Sequence, residues 1–363
     1  MRKTSRNYGI DLLRIFCMLG VVCLHLLSHG GLLDGAKSHA QHSILWFLEA
    51  FALPAVNCFV LISGFCGYRE SCYYPKLKNL ISITISALFY SIGICLLFML
   101  LYPSEGALKK LLVACVPFRG YWFFAAYFGM FLLMPVLNLF VHKGDRKMHF
   151  LFLLALTLFC CVSLVLDAFT LSRGYSVFWL VLLYVLGAII KKYNLPEKLS
   201  KKAWLLLILG AFLITWLPIA ILPLTKVSLL AEKSDLFATY ISPTTVLMAI
   251  GWLCFCAKTS CKKPIISITT FITPSVFSVY LIHDNPHIRL NWFSQLHTLC
   301  EGFSTSLLVL FVLGCALAIF LACVLIDKVR VLLFRLIRLD SAEYKLADLT
   351  KKVINSLYNK WIH

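Results

Sequence analysis

The sequence predicts an all-α fold, a polytopic membrane helix bundle with about ten transmembrane helices and both termini in the cytoplasm. Three observations carry that expectation. Hydrophobic residues fill 61% of the 363 positions and charged residues only 14%, where soluble domains hold roughly 45–50% and 25%. Apolar runs long enough to cross a bilayer, about 20 residues at 1.5 Å each, recur along nearly the whole chain. Lys and Arg gather in every second connection between those runs. Lipid offers the backbone no hydrogen bonds, so helices or a closed barrel must do the crossing, and continuous rather than alternating apolar runs select helices.

In chain order the candidate spans cover residues 10–28, 44–65, 80–101, 122–141, 150–168, 177–190, 203–222, 236–257, 271–282 and 306–326. The first is followed by many others and lacks a small-residue cleavage site, which argues against a removable signal peptide. The sixth and ninth are short, and the ninth extends back toward Pro264 with Pro274 breaking or kinking it. Of the 34 Lys and Arg residues, 25 fall before the first span, in alternate connections and after the last span; 8 fall in the other connections, and Arg14 lies inside the first span. Under the positive-inside rule that split places both termini in the cytoplasm. Beyond Asp327 the chain changes character. Val329, Leu332, Leu333, Leu336 and Ile337 share a face, with Arg330, Arg335 and Arg338 interleaved, the pattern of an amphipathic helix on the membrane surface. The chain therefore divides into a membrane domain at 8–326 and a cytoplasmic amphipathic tail at 327–363.

The formal charge of +18 is spread over short segments rather than gathered on one face, so it reads as a topology signal and no nucleic acid is expected as a partner. The 15 cysteines are scattered through the apolar runs with no CxxC and no zinc-type spacing, which suits small membrane-helix residues better than a disulfide framework.

Ionisable groups inside a span cost about 2.5–3.5 kcal/mol each near its middle, so each calls for a reason. The first span holds Asp11, Arg14 and His25. Eleven steps of about 100° return Arg14 and His25 to nearly the same helix face, roughly 16 Å apart along the axis, and Asp11 lies one turn before Arg14, where it can pair with it. The plainer alternative is an interfacial anchor at Asp11 and Arg14 with His25 bonded to a neighbouring helix. Glu49 is a second uncommon membrane carboxylate, able to orient His25, bind an acceptor hydroxyl or make a structural hydrogen bond. Ser63 and Gly64 permit close helix approach. Tyr121 and Trp122 fit an interfacial aromatic belt or a sugar platform. His283, Asp284 and His287 lack helical i,i+4 geometry because Pro286 intervenes, so no metal is expected. His29, His39 and His42 cluster near the first outer loop, solvated or meeting substrate.

The run Gly9-Ile10-Asp11-Leu12-Leu13-Arg14, with His25 after ten intervening residues, resembles the signature of the membrane-bound acyltransferase 3 family. Phe59 to Phe65 is similar to that family's FF-x-x-SGF second helix, from which Cys58 and Val60 depart. Tyr121-Trp122-Phe123-Phe124 with Pro135 beyond, and Ser278-Val279-Tyr280-Leu281-Ile282-His283, are similar to its fourth-helix start and late YLIH element. The resemblance runs in order from about residue 8 to 326 and implies an acyltransferase, an O-acetyltransferase in its commonest form. Such an enzyme takes an acyl group from cytoplasmic acyl-CoA, usually acetyl-CoA, and places it on a hydroxyl of a cell-envelope or exported carbohydrate or glycolipid. It implies a multi-pass protein of the plasma membrane, with His25 as general base or acyl relay. Arg14 and Arg69 would bind the CoA phosphates, Asp11 would hold Arg14, and Glu49, Ser63, Trp122 and His283 would meet substrate. The alternative from another class is a transporter or flippase for a polar or glycan substrate, compatible with short proline-interrupted spans; a sensor or partner-binding subunit is a third. No paired half-repeats are visible, and the intramembrane charges concentrate in the first two spans.

Overall fold

Polar residues placed just ahead of the apolar runs start the helices. In the computed structural model, which describes residues 6–69, 77–103, 106–166, 169–225, 227–339, 343 and 345–353, Asn7 accepts from the Ile10 amide and opens α1 (Tyr8–Ser28). Ser38 accepts from the Gln41 amide and opens α2 (His39–Ala52) in the same way. The chain continues through α3 (Pro54–Gly67), α4 (Leu77–Leu101), α5 (Ala107–Ala114), α6 (Trp122–Lys143), α7 (Arg146–Leu166), α8 (Val177–Lys192), α9 (Lys201–Ile221) and α10 (Ser228–Glu232). It ends with α11 (Pro243–Ala257), α12 (Lys263–Ile272), α13 (Val276–His283), α14 (Pro286–Asn291), α15 (Leu296–Leu299) and α16 (Thr305–Leu336). Among the described residues there is no strand.

Among the described residues, eight helical segments are long and apolar enough to cross a membrane, and the chain is a multi-pass membrane protein with an all-α bundle. The two further spans expected at 177–190 and 236–257 are α8, with 16 residues, and α11, with 15. At 1.5 Å per residue these reach only about 24 and 22 Å, short of a hydrocarbon core of about 30 Å. Both are buried along most of their length; they face protein rather than lipid.

The expected second span is longer than its apolar run and interrupted. His39–Gly67 is one segment of 29 residues in which Leu53 keeps helical dihedrals and Pro54 sits at the first position of α3, where its missing amide costs nothing. The ninth does begin at Lys263, beside Pro264, and breaks at the 3-10 turn Thr273–Ser275 that contains Pro274. α16 runs unbroken through residue 327 to Leu336, so the last crossing and the first turns of the basic segment share one helix. There the fully buried Asp327 accepts hydrogen bonds from Tyr90 Oη at 2.8 Å and Arg330 Nε at 2.7 Å, tying α16 to α4. Arg2, Lys3, Lys76, Lys226 and Lys360, counted in the charge alternation, lie outside the described residues, as do Ala168 and the tail beyond 353.

Helices in lipid gain little from burying apolar surface against one another, so close packing must hold them. α3 and α8 cross at a pair of glycines: a Cβ on Gly64 would stand 2.0 Å from the Tyr184 carbonyl oxygen, and one on Gly187 would stand 2.2 Å from that of Leu61. Lys192 donates to the Val141 and Gly144 carbonyls, both at 2.7 Å, capping the C-terminal end of α6 with a cation. α1 packs against α2, α3, α11, α13 and α16 and so lies at the centre of the bundle. Exposed leucines on the peripheral helices, such as Leu100, Leu132, Leu154, Leu206 and Leu310, supply the lipid-facing surface.

Candidate functional site

At the start of α1, Asp11 is buried at 3% exposure. Its Oδ1 accepts from Arg14 Nη1 at 2.6 Å and its Oδ2 from Arg6 Nε. The carboxylate thus fixes two guanidiniums, one more than the helix spacing indicates. Arg14 Nη2 reaches Cys66 Sγ at 3.5 Å, near the end of α3. Further along the same face of α1, His25 and Arg14 both line one cavity of about 190 Å³. α3 contributes Val56, Phe59 and Ser63, α6 contributes Trp122, Phe123 and Tyr127, and α13 contributes Val276, Phe277 and Tyr280. Tyr240, from the segment before α11, lines it as well. The walls are chiefly aromatic and aliphatic, with a cation toward one end and an imidazole deeper in.

His25 is positioned from behind. Its Nδ1 lies 3.0 Å from His283 Nε2, while His283 Nδ1 lies 2.6 Å from the Val279 carbonyl. A carbonyl can only accept, so His283 Nδ1 carries hydrogen and donates. With both rings neutral, His283 Nε2 must then accept from His25 Nδ1–H. The unprotonated nitrogen of His25 is therefore Nε2, the one not committed to His283. Asp284 stands beside this pair, 1% exposed. Its Oδ1 is 3.3 Å from Arg289 Nη1, 3.5 Å from His25 Nδ1 and 3.7 Å from His29 Nε2. Its Oδ2 is buried without a hydrogen-bond partner. Just beyond α13, the Asp284 carboxyl is pushed above the usual carboxylate range by burial, against the pull of His283, Arg289 and His29. His29, just beyond α1, is pushed below the usual imidazole range, again by burial, with Asp284 opposing.

His25, His29 and Asp284 bring ligand atoms within 4.8 Å of one another, close enough to hold a metal ion by distance alone. Two of the ligand atoms are already engaged: Arg289 occupies Asp284 Oδ1 and His283 occupies His25 Nδ1, whereas Asp284 Oδ2 is buried without a hydrogen-bond partner. His287 takes no part in this group and stacks on Phe98 at 5.4 Å between centroids.

Of the residues singled out in the sequence, Arg14, His25, Ser63 and Trp122 meet on one cavity, with Asp11 behind Arg14 and His283 behind His25. His283 is 1% exposed and lies outside the cavity lining. Ser63 Oγ donates to the Phe59 carbonyl at 2.9 Å. Arg69 is exposed just past the end of α3, three positions beyond the cysteine that Arg14 touches. Glu49 lies outside the lining, and its Oε2 is buried without a partner. Tyr121 is not a belt residue: fully buried, it donates to the Leu281 carbonyl at 2.7 Å and accepts from Asn285 Nδ2 at 2.8 Å, clamping the end of α13. His39 is exposed, as expected near the outer loop, and its Nε2 lies 2.9 Å from the Ala220 carbonyl. Sequence reasoning did not bring Asp284, Arg289 and His29 together beside His25. The available signal was the polar triplet His283-Asp284-Asn285, set between an apolar run and Pro286.

A family model described as an acyltransferase domain, of the acyltransferase 3 type, matches residues 7–327. No match was found among curated proteins or among solved structures.

Proposed function

The chain belongs to the acyltransferase 3 family, and from that premise we propose that it carries an acyl group, in the first instance acetyl, from cytoplasmic acyl-CoA to a hydroxyl of an envelope or exported carbohydrate at the plasma membrane. The observation that supports this most directly is the cavity shared by Arg14 and His25. A CoA thioester is long, with phosphates at one end and the reactive carbonyl at the other. A guanidinium suits the phosphates through paired hydrogen bonds, and the separation of roughly 16 Å along α1 matches a donor that reaches inward. On the orientation given by the Lys and Arg distribution, the Arg14 end is cytoplasmic.

The chemistry follows from the tautomer. His25 Nε2 takes the proton of the acceptor hydroxyl as the oxygen attacks the thioester carbonyl. The carbon–sulfur bond breaks, and the CoA sulfur leaves with the proton returned from the imidazolium. While that imidazolium exists, its Nδ1–H points at His283 Nε2 at 3.0 Å, with Asp284 Oδ1 at 3.5 Å. General-base assistance of this kind contributes about 10²–10⁴-fold. The Asp11 carboxylate holds Arg14 in position, and Arg6 shares its charge.

Labelled acetyl-CoA supplied to the purified full chain in vesicles, together with added glycan, tests the reading. Transfer to glycan oxygen supports it, whereas movement of glycan across the vesicle wall without modification favours transport. His25→Ala should cut transfer by about 10²–10⁴-fold with unchanged insertion; acylation near the normal rate would remove His25 from the mechanism.

A further inference from the structure

The cavity does not end at His25. Trp122 and Tyr240 line it too, and their rings lie nearly parallel, 21° apart with centroids at 6.4 Å. Tyr175, outside the cavity lining, closes the group at 4.5 Å from Trp122 and 5.2 Å from Tyr240. Trp122 is the first residue of α6, and Tyr175 and Tyr240 come from the segments preceding α8 and α11; all three helices run inward from the outer face on the charge-derived orientation. Tyr175 is 52% exposed and Tyr240 8%, so the group passes from cavity wall to surface.

This convergence is built rather than incidental. Tyr175 is presented by a segment in which Thr170, Ser172, Arg173 and Gly174 all have positive φ, at 47°, 51°, 53° and 102°. Left-handed backbone at non-glycine residues costs of order 1–3 kcal/mol each and persists where surrounding structure enforces it. A Cβ on Gly174 would lie 2.6 Å from Tyr240 Cβ, so glycine is what lets the two segments meet. Below them the fully buried Asn57 donates to the Tyr240 carbonyl at 2.8 Å and accepts from Trp179 Nε1 at 3.1 Å. Glu49 Oε2 is buried without a partner.

We propose that Trp122, Tyr175 and Tyr240 form the acceptor subsite, a platform on which a pyranose ring of the glycan stacks as it enters from the outer face toward His25. An aromatic face offers broad, rigid contact to the apolar C–H face of a sugar, and the polar tips of tyrosine reach its hydroxyls. An interfacial belt requires rings at lipid-headgroup level with no relation to the interior; these rings continue the wall that holds the imidazole. The subsite rests on the acyltransferase reading for its purpose, though its occupancy can be measured without any transfer.

Saturation-transfer NMR on the detergent-solubilised full chain, with a panel of neutral pyranose oligosaccharides and sorbitol as the open-chain control, tests it. The expected result is saturation of ring C–H protons for at least one pyranose and none for sorbitol. Binding should weaken about tenfold or more in Trp122→Ala and Tyr175→Ala, weaken less in Tyr175→Phe, which keeps the ring face and loses only the hydroxyl, and be retained in His25→Ala. Loss of transfer in His25→Ala with binding intact separates this subsite from the catalytic reading; failure of transfer in the unsubstituted chain would sink the latter alone. Pyranose binding unaffected by either alanine substitution, or saturation of sorbitol equal to that of the sugars, overturns the platform.

Discussion

At the scale of the residue, the centre of the proposed site is a proton-placement problem. Two imidazoles facing each other at 3.0 Å share one hydrogen when both are neutral, and the Val279 carbonyl decides which ring supplies it. His283 is thus a positioning residue that acts through His25. His283→Leu removes the acceptor and frees His25 to adopt the other tautomer, with its proton on the nitrogen that should receive one. The turnover number should fall about 10²-fold or more while the KM for acyl-CoA stays unchanged, and His283→Gln, whose amide oxygen accepts, should restore part of the loss. Equal turnover in the leucine variant and the unsubstituted chain would show that the tautomer is set elsewhere. His25 and Arg14 stand out in the sequence because they are costly in a span and fall on one helical face. His283 is singled out as well, by the run Ser278 to His283, but its pairing with His25 is not legible, since 258 residues separate the two imidazoles and only the packing of α1 against α13 joins them.

At the scale of the element, backbone contact between α3 and α8 sets one wall of the bundle. Gly64 lies beside Ser63, which lines the cavity, so the crossing also places part of the site. Gly64→Ala puts a methyl where the Tyr184 carbonyl oxygen stands, and the two helices must separate to admit it. A loss of about 1–3 kcal/mol in folding stability is expected, measured as a lowered thermal midpoint in detergent. Gly210→Ala is the control: a Cβ there meets nothing within 4 Å, and alanine favours the helix, so its midpoint should hold or rise slightly. Equal shifts in the two variants would count against the close crossing. The small-residue signal of Gly64 was legible in the sequence; its counterpart Gly187 was not, because nothing local says which helix will face which. The proline breaks divide similarly. Pro274 interrupts its span as expected, whereas Pro54 lies within a uniform apolar run whose helical dihedrals continue past it, so the run alone does not reveal the division into α2 and α3.

At the scale of the whole molecule, the alternation of basic connections implies a direction for the proposed reaction. Eight of the ten expected spans were legible as full crossings among the described residues, because lipid enforces hydrogen-bonded helices wherever long apolar runs recur. The short α8 and α11 were legible only as apolar runs, since their burial depends on neighbours that arrive from elsewhere in the chain. Arg14, held by Asp11, lines the same cavity as Trp122 and Tyr240, and the charge-derived orientation sets the start of α1 and the start of α6 at opposite ends of the bundle. If donor and acceptor enter from those two ends, substitutions at each should separate kinetically. Arg14→Ala removes a charge-assisted phosphate contact and should raise the KM for acyl-CoA about tenfold or more, leaving the KM for glycan unchanged. Asp11 keeps Arg6 as a partner in that variant, which protects the start of α1 from an unpaired buried carboxylate and makes the kinetic change interpretable. Vesicles of known orientation add the geometric half of the test: acyl-CoA should support transfer only from the face bearing the chain termini, and glycan should accept only from the other. Transfer that proceeds with both reactants confined to the face bearing the termini would mean that the two mouths do not serve separate substrates, whatever the role of His25.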